Sequence, residues 1–474
     1  MKVQRCKGAK VQTLGIKSRI KNVAKVMIGA MVPARNDYLT WGLRQAGMSP
    51  RGATINFHQL PTTASKASIQ KQIIVDAFGT ARRKPVVDAL WAKLSRTPVA
   101  QRRLSPIWLR RVSSFRVHCE EMRVVPKHIG ANGFYLPILE KETLRWAEPR
   151  SLDEDRTVFW DLLRSQDRSV FWDHLRSHGR EHTIEVSPVF LAGLRNASLL
   201  GDGSTICSRN NILLYDPTYL PFVVNSEPGI KLPVIPRVDL KLSGEYLHFG
   251  SYWGLVYYHW VLDILPRLLF AERFDRLRGV PLIVQRGITQ TQRESLQILG
   301  IPPDRIIEFN GHHWQVEQLY YIHPGLSGCP TPLQVQWLRE RFAPHPLTRS
   351  RRLYISREDA GSRRIINEAA LVKELVPYGF EVVTLSGMSF ADQCRLFSEA
   401  EIVVGPHGAG FANAVFAQPG TTLIELFSPS HIYPCFWALA NACGHKYGFC
   451  MGAQHGVDIE ADVGKFLRLL TSMI

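Results

Sequence analysis

From about residue 183 onward, short apolar runs alternate with amphipathic stretches, and Gly, Pro and Asn fall between them. Runs of four to six residues rich in Val, Ile and Leu predict strands, and apolar positions three and four apart predict helices. Strands are expected at 212–215, 221–224, 244–249, 281–284, 305–309, 318–322, 352–356, 380–385, 401–404 and 422–427. Helices are expected at 290–299, 330–342, 367–376, 389–400 and 436–444, with Ser389 as an N-cap. Strands and helices in regular alternation predict α/β architecture, with parallel sheets covered by helices. Two such units flank a Pro-containing linker near 343–350.

Upstream the pattern is weaker. Residues 71–125 carry helical periodicity through Ile73, Ile74, Ala77 and Phe78, then Val86, Val87, Leu90, Trp91 and Leu94. Residues 155–166 and 167–178 form a tandem repeat that matches at nine of twelve positions. Twelve residues is not a whole number of 3.6-residue turns, so a second helical copy would face a rotated direction. A lengthened helix or a surface helical hairpin is expected there. The chain therefore divides into a basic segment (1–70) too weakly patterned to predict order, a mainly helical region (71–180), and two α/β domains (181–345 and 346–474).

Charge sharpens this division. The net charge is +17, and residues 1–125 hold 24 Lys and Arg against 5 acidic residues, so the remainder is near neutral. A basic region of this kind suits peripheral contact with an anionic membrane surface. Neither a helix-turn-helix nor a zinc-finger pattern accompanies it, so specific nucleic-acid binding is not expected. None of the eight cysteines forms a C-x-x-C pair, which predicts buried free thiols in a reducing compartment. No apolar run reaches the roughly 20 residues of a membrane span.

Three clusters carry candidate chemistry. Glu401-Ile-Val-Val-Gly-Pro-His-Gly-Ala-Gly410 runs from a strand into a glycine turn and a short helix start, with Asn413, Pro419-Gly420 and Glu425 beyond it. Glycines admit close backbone approach, and a helix start offers unpaired N–H groups, so an anionic, nucleotide-linked ligand is expected. The spacing is neither the dinucleotide fingerprint nor the P-loop. Tyr354-Ile-Ser-Arg-Glu-Asp-Ala-Gly-Ser-Arg-Arg-Ile-Ile-Asn-Glu368 follows a strand and opens a helix, and its Arg357, Arg363 and Arg364 suit phosphate oxygens. In the third cluster His259 and Asp263 stand four apart on one helix face, with Trp253, Tyr257, Tyr258 and Trp260 beside them. A His–carboxylate pair suits removal of a hydroxyl proton, and aromatic faces suit sugars.

Taken in order, His259-Trp-Val-Leu-Asp263-Ile-Leu-Pro-Arg267, Ser356-Arg357…Asn367-Glu368 and Gly405-Pro-His-Gly-Ala-Gly410…Asn413…Glu425 resemble the family 61 glycosyltransferases, over roughly 245–430. The resemblance implies two Rossmann-like domains facing a cleft (a GT-B fold), nucleoside-diphosphate-sugar donors, inverting transfer and no essential metal or other cofactor. It implies an acceptor domain at 181–345 and a donor domain at 346–474. Donor contacts are then expected from Arg357, Arg363, Asn367, Glu368, His407, Gly408, Ala409, Gly410, Asn413 and Glu425, with Glu425 receiving ribose hydroxyls. Acceptor contacts are expected from Trp253, Tyr258 and Arg267, and the base is His259 or Asp263. The acceptor class implied is a glycan or lipid-linked glycan. Bacterial members of the family serve capsular and exopolysaccharide synthesis. Eukaryotic members carry a membrane anchor not seen here, so a cytoplasmic enzyme at the inner face of a bacterial membrane is expected. The D-x-D-like triplet Asp153-Glu-Asp155 follows no strand, which argues against metal-dependent donor binding. Two other classes stay open: a Rossmann-type nucleotide-sugar-modifying enzyme or oxidoreductase, and a non-catalytic protein that binds anionic surfaces.

Overall fold

A computed structural model of the chain describes residues 111–114, 133–165, 175–178, 181–201, 204–209, 212–215, 238–251, 253–343 and 348–474. The basic segment 1–70, the helical periodicity over 73–94 and the strand expected at 221–224 lie outside these residues. Contacts group the chain into two compact units. One takes its described residues from Met1–Phe134, Gly193–Glu245 and Phe309–Leu319, and the other from Tyr135–Ala192, Tyr246–Glu308 and Tyr320–Ile474.

In the first unit Arg111–Ser114 pairs in parallel with Ile212–Tyr215, and Thr205–Cys207 runs antiparallel to the latter. Its buried His313 contacts the Ser198 hydroxyl at 2.8 Å, and its backbone N–H donates to Asp239.

The second unit holds a five-stranded, wholly parallel sheet. Its strands are β1 (Arg351–Ile355), β2 (Phe380–Val383), β3 (Ala400–Pro406), β4 (Thr422–Phe427) and β5 (Lys446–Met451). They lie in the order β2-β1-β3-β4-β5. Both faces are covered, so β3 and β4 read as continuous apolar runs rather than as alternating ones. Ile402, Val404, Ile424, Leu426 and Cys450 share one face with helices Glu368–Leu375 and Val463–Met473, whose Leu371, Phe466 and Leu470 are fully buried. Helix Phe390–Ser398 starts at Ser389, whose hydroxyl accepts from the Asp392 N–H as an N-cap. The crossover after β1 turns one way along the sheet and those after β3 and β4 turn the other. The order therefore reverses between β1 and β3, and their carboxyl ends part to leave a crevice.

Gly405 near the end of β3 lets the two strands approach closely just before they part. Its φ is +156°, and a Cβ there would lie 2.6 Å from the Ile355 carbonyl oxygen of β1. We expect Gly405→Ala to cost about 1–3 kcal/mol from backbone strain alone, read as a lowered denaturation midpoint.

Strands β1 to β4 fall within a few residues of their expected places and β5 is not among those expected, and the region 71–180 is not mainly helical where it is described. It holds strands Arg111–Ser114, Gly133–Leu139, Glu142–Trp146 and Leu175–His178, with the single helix Asp153–Ser165. The described end of the repeat's second copy is not helical. Leu163-Arg-Ser165 ends the helix of the first copy, whereas the identical Leu175-Arg-Ser177 of the second lies in a strand paired antiparallel with Glu181–Val186. That partner is β-branched at Thr183, Ile184 and Val186 and supplies a ladder, so tertiary pairing overrides local preference.

The first copy anchors the sheet edge. Arg150 pairs with Gly448, its N–H reaching the Tyr447 carbonyl and its carbonyl receiving the Phe449 N–H, both at 2.9 Å. Asp155 accepts from the Met451 N–H (2.9 Å) and from Lys465 Nζ (2.8 Å), and Phe159 stacks on Phe449. Edge strand β5 is thus closed to further pairing. Asp155 of the D-x-D-like triplet is buried in this anchor. Of the six described cysteines, five are buried and all are free. No helix among the described residues is long and apolar enough to cross a membrane.

Candidate active site

A cavity of about 180 Å³ opens at the β1/β3 reversal. Ser356 and Arg357 line it from the loop after β1, Leu385 and Ser386 from the loop after β2, and Gly408 and Gly410 from the loop after β3. All three loops leave the carboxyl ends of parallel strands. Residues Ala409–Phe416 then form a short 3-10 helix. The first N–H groups of a helix have no partner within it and suit an anion.

Two guanidiniums meet at this end of the sheet. Arg357 donates through Nε and Nη2 to the Ser362 carbonyl (3.3 and 3.1 Å), which fixes its plane. Burial, together with neighbouring Arg363, pulls its pKa down to about 10, so it remains a cation at neutral pH. Exposed Asp359 partly offsets the charge. Arg363 has φ +60°, a left-handed conformation costly for a side-chain-bearing residue. Its backbone N–H is held by the Val457 carbonyl at 2.8 Å, and its side chain makes no hydrogen bond among the described residues. Arg364, by contrast, is committed to Asp458 through Nε (3.1 Å) and Nη2 (2.7 Å).

Gly408 has an extended backbone that any residue could adopt, yet a Cβ there would lie 2.1 Å from Arg357 Nη1. Gly408→Ala should therefore push the guanidinium aside, weakening anion binding roughly tenfold, for one misplaced charged hydrogen bond, with little change in melting temperature. Unchanged affinity in a titration would show that Arg357 does not act from this position.

The second constellation lies on helix Tyr257–His259, which continues as a π-helical turn over Trp260–Ile264. Such turns recur at functional sites. His259 Nδ1 lies 2.6 Å from Asp263 Oδ2. Asp263 is 2 % exposed and also accepts the Ser327 hydroxyl (2.6 Å) and the Gly328 N–H (3.0 Å). Burial works to raise its carboxyl, but hydrogen bonds from His259, Ser327 and Gly328 outweigh burial and hold it below the usual range. The His259 side chain keeps 22 % exposure and lies against the Trp253 ring, the centroids 6.1 Å apart. A carboxylate that holds Nδ1–H leaves Nε2 as the nitrogen able to take a proton. This helix packs on the segment that follows β3, where the Tyr257 hydroxyl donates to Asn413 Oδ1 (2.5 Å), and on the loop that holds Ser327, where the Tyr258 hydroxyl donates to the Gly328 carbonyl (3.1 Å).

The model of the family described as Glycosyltransferase 61 matches residues 257–424, from the dyad helix to the middle of β4. Over residues 257–424 the chain is thus similar to the glycosyltransferase 61 family. Mouse protein O-linked-mannose beta-1,4-N-acetylglucosaminyltransferase 2 is 32% identical over 181 residues, 36% of this chain and 27% of that protein. The dog protein of that name is 38% identical over the same length and shares. Beta-1,2-xylosyltransferase of Arabidopsis thaliana is 32% identical over 89 residues, 19% of this chain and 17% of that protein. The chain thus spans about a quarter or less of the length of these relatives.

Within the glycosyltransferase 61 segment, Arg357, Gly408 and Gly410 meet at the cavity, with His407 and Arg363 beside them. Several other expected contacts serve the fold instead. Asn413 is wholly buried, and its amide donates to Gln393 (2.9 Å) and the Gly410 carbonyl (3.2 Å). The Asn367 amide exchanges hydrogen bonds with Ala461 and does not cap its helix, while Glu368 accepts from the Tyr354 hydroxyl. Tyr258 is 6 % exposed, and Arg267 is 2 % exposed, donating to the Gly250 carbonyl with its guanidinium over the Tyr321 ring. Neither has a surface open to a bound molecule, whereas Trp253 is partly exposed beside His259.

Just beyond the segment, Glu425 is fully buried, its carboxyl taken by His407 Nδ1 and the Tyr447 hydroxyl rather than offered to a ribose. Ser327, Gly328, Leu385, Ser386 and Tyr447 escaped the sequence reading. The first four lie in loops without charged residues. Tyr447 lies on β5, where nothing in the chain's pattern couples it to Glu425.

Proposed function

We propose that the protein is an inverting glycosyltransferase that moves a sugar from a nucleoside-diphosphate sugar to a hydroxyl of a glycan or lipid-linked glycan. The observation that carries this reading is the cavity at the β1/β3 reversal, where Arg357 lies over Gly408 at the start of a helix. That is where an α/β sheet of this order holds a nucleotide. In this reading Arg357, Arg363 and His407 meet the leaving diphosphate, supplying the positive charge that a divalent metal supplies elsewhere. His259 Nε2 removes the acceptor hydroxyl's proton as oxygen attacks the anomeric carbon from the face opposite the leaving group. Asp263, buried and fully hydrogen-bonded, holds the imidazole in the required tautomer and does not itself take the proton. That geometry supports His259 over Asp263 as the base.

A GT-B arrangement of an acceptor and a donor domain belongs to the same proposal. The relatives named above come from animals and a plant, and their names lend no support to a capsular or exopolysaccharide role. The acceptor is therefore proposed only as a glycan hydroxyl. Residues 1–125 keep their charge-based reading as a peripheral anionic-membrane contact.

The test is release of nucleoside diphosphate from a panel of nucleotide sugars, with and without a glycan acceptor, in excess EDTA. Acceptor-dependent release that EDTA leaves unchanged is expected. A strict metal requirement would contradict the electrostatics, and inertness toward every donor would contradict the function.

A further inference from the structure

His407, Glu425 and Tyr447 form a buried chain, of which the steps above employ only His407. Register brings them together. Gly405 on β3 lies opposite Glu425 on β4, and Glu425 lies opposite Phe449 on β5. His407 and Tyr447 each stand two residues from these partners, so all three side chains emerge on one face of the sheet. His407 Nδ1 bonds Glu425 Oε1, and the Tyr447 hydroxyl donates to Oε2 at 2.5 Å. Glu425 has no accessible surface, and no lysine or arginine side chain hydrogen-bonds it among the described residues. His407 keeps 8 % side-chain exposure, and no hydrogen bond of the described residues reaches its Nε2.

Charged and titratable groups face this chain from every packed element. Arg357 and Arg363 face it from the loop after β1, His431 and Tyr433 from the segment after β4, and Cys435 from the helix that follows. His407 lies between Pro406 and Gly408, which both line the cavity. The two guanidiniums mark this wall for an anion. A bare Nε2 lone pair would repel that anion, so the fitting tautomer carries its proton on Nε2. Nδ1 must then accept, and among the described residues the group placed to donate to it is a protonated Glu425.

We propose that Glu425 and His407 share one proton, which rests on the carboxyl and moves to the imidazole when diphosphate charge arrives. The proposal deepens the nucleotide-sugar reading and rests on it. The step is a proton shift alone. The Glu425 Oε1–H bond breaks, an Nδ1–H bond forms on His407, and a carboxylate and an imidazolium result, with Nε2–H bonded to a diphosphate oxygen. No proton enters from solvent. Tyr447 is a positioning residue that steadies the carboxylate once it forms. Burial pushes the Glu425 carboxyl well above its ordinary range, opposed by Tyr447 and Arg363, and burial with Arg363 and Arg357 pushes His407 well below its own.

The resting state has a signature that needs no ligand. A carboxyl whose folded pKa is raised above about 4.3 contributes stability at low pH, and that stability is lost as pH rises through the folded pKa. Denaturant unfolding of the full chain at pH 5 to 8 should therefore show the folding constant of wild type falling tenfold per pH unit relative to Glu425→Gln. A pH-independent ratio overturns the proposal, because Glu425 would then be ionised at rest. If Glu425→Gln does not fold, the wild type alone decides by infrared spectroscopy. A protonated-carboxyl C=O stretch should be present at neutral pH and give way to carboxylate bands on adding pyrophosphate. Absence of that stretch overturns the resting state, and a stretch that bound pyrophosphate leaves unchanged overturns the proton shift. Pyrophosphate that fails to bind, with the stretch present, sinks the nucleotide-site reading instead. Tyr447→Phe should lower kcat with KM for the donor little changed, a split that a purely structural role would not give.

Discussion

His259→Ala should lower the turnover number for sugar transfer by about 10²–10⁴-fold, the usual worth of a positioned general base. Donor affinity should barely move, because the side chain does not line the β1/β3 cavity and its hydrogen bond runs to Asp263. Asp263→Asn should also reduce turnover, by a different route. The amide cannot play the carboxylate's part toward Nδ1–H while still receiving the Ser327 hydroxyl and the Gly328 N–H, so the imidazole loses its fixed tautomer. Steady-state kinetics with a competent donor and acceptor would separate the two. If His259→Ala retained full turnover, the assignment of the base would fail.

The second large effect is expected at Arg357. Arg357→Ala removes a cation held in plane by the Ser362 carbonyl at the cavity wall. Hydrogen bonds to charged groups contribute about 1.5–3 kcal/mol, so nucleoside-diphosphate affinity should fall roughly 10- to 150-fold. Turnover should fall as well, because charge accumulates on the leaving group in the transition state. Arg357→Lys should recover little. A lysine brings the charge but not the planar fork that spans the Ser362 carbonyl and a phosphate oxygen together. Binding isotherms for wild type and both variants check this directly.

Much of the sheet could be read from the chain, since β3 and β4 are buried and carry apolar runs bounded by turn residues, while the helices show an apolar stripe at three- and four-residue spacing. Arg357 and the 408–410 glycines could be placed because a strand's carboxyl end and its following loop are adjacent in sequence. The reading of Glu425 as a ribose contact failed for a physical reason. It stands inside Thr422–Phe427, where every residue is buried, so its partners had to come from neighbouring strands. An acid within a wholly apolar run is itself the signal of a buried, paired carboxyl. The partners could not be named, because strand order and register are set by tertiary pairing. The repeat misled for the opposite reason: identical tripeptides at 163–165 and 175–177 take different structures because only the second finds a strand to pair with. Asn413 and Asn367 looked like ligand contacts because polar side chains near a glycine loop can equally close hydrogen bonds within the fold.

The central claim is that the crevice between β1 and β3 holds a nucleoside diphosphate by arginine and helix-start contacts. The most direct measurement is calorimetric titration of a panel of nucleoside diphosphates into the full chain in EDTA, repeated with Arg357→Ala and His259→Ala. At least one nucleoside diphosphate should bind the wild type, bind Arg357→Ala at least tenfold more weakly, and bind His259→Ala as it binds the wild type. Binding to none of them, or equal binding to wild type and Arg357→Ala, would contradict the site.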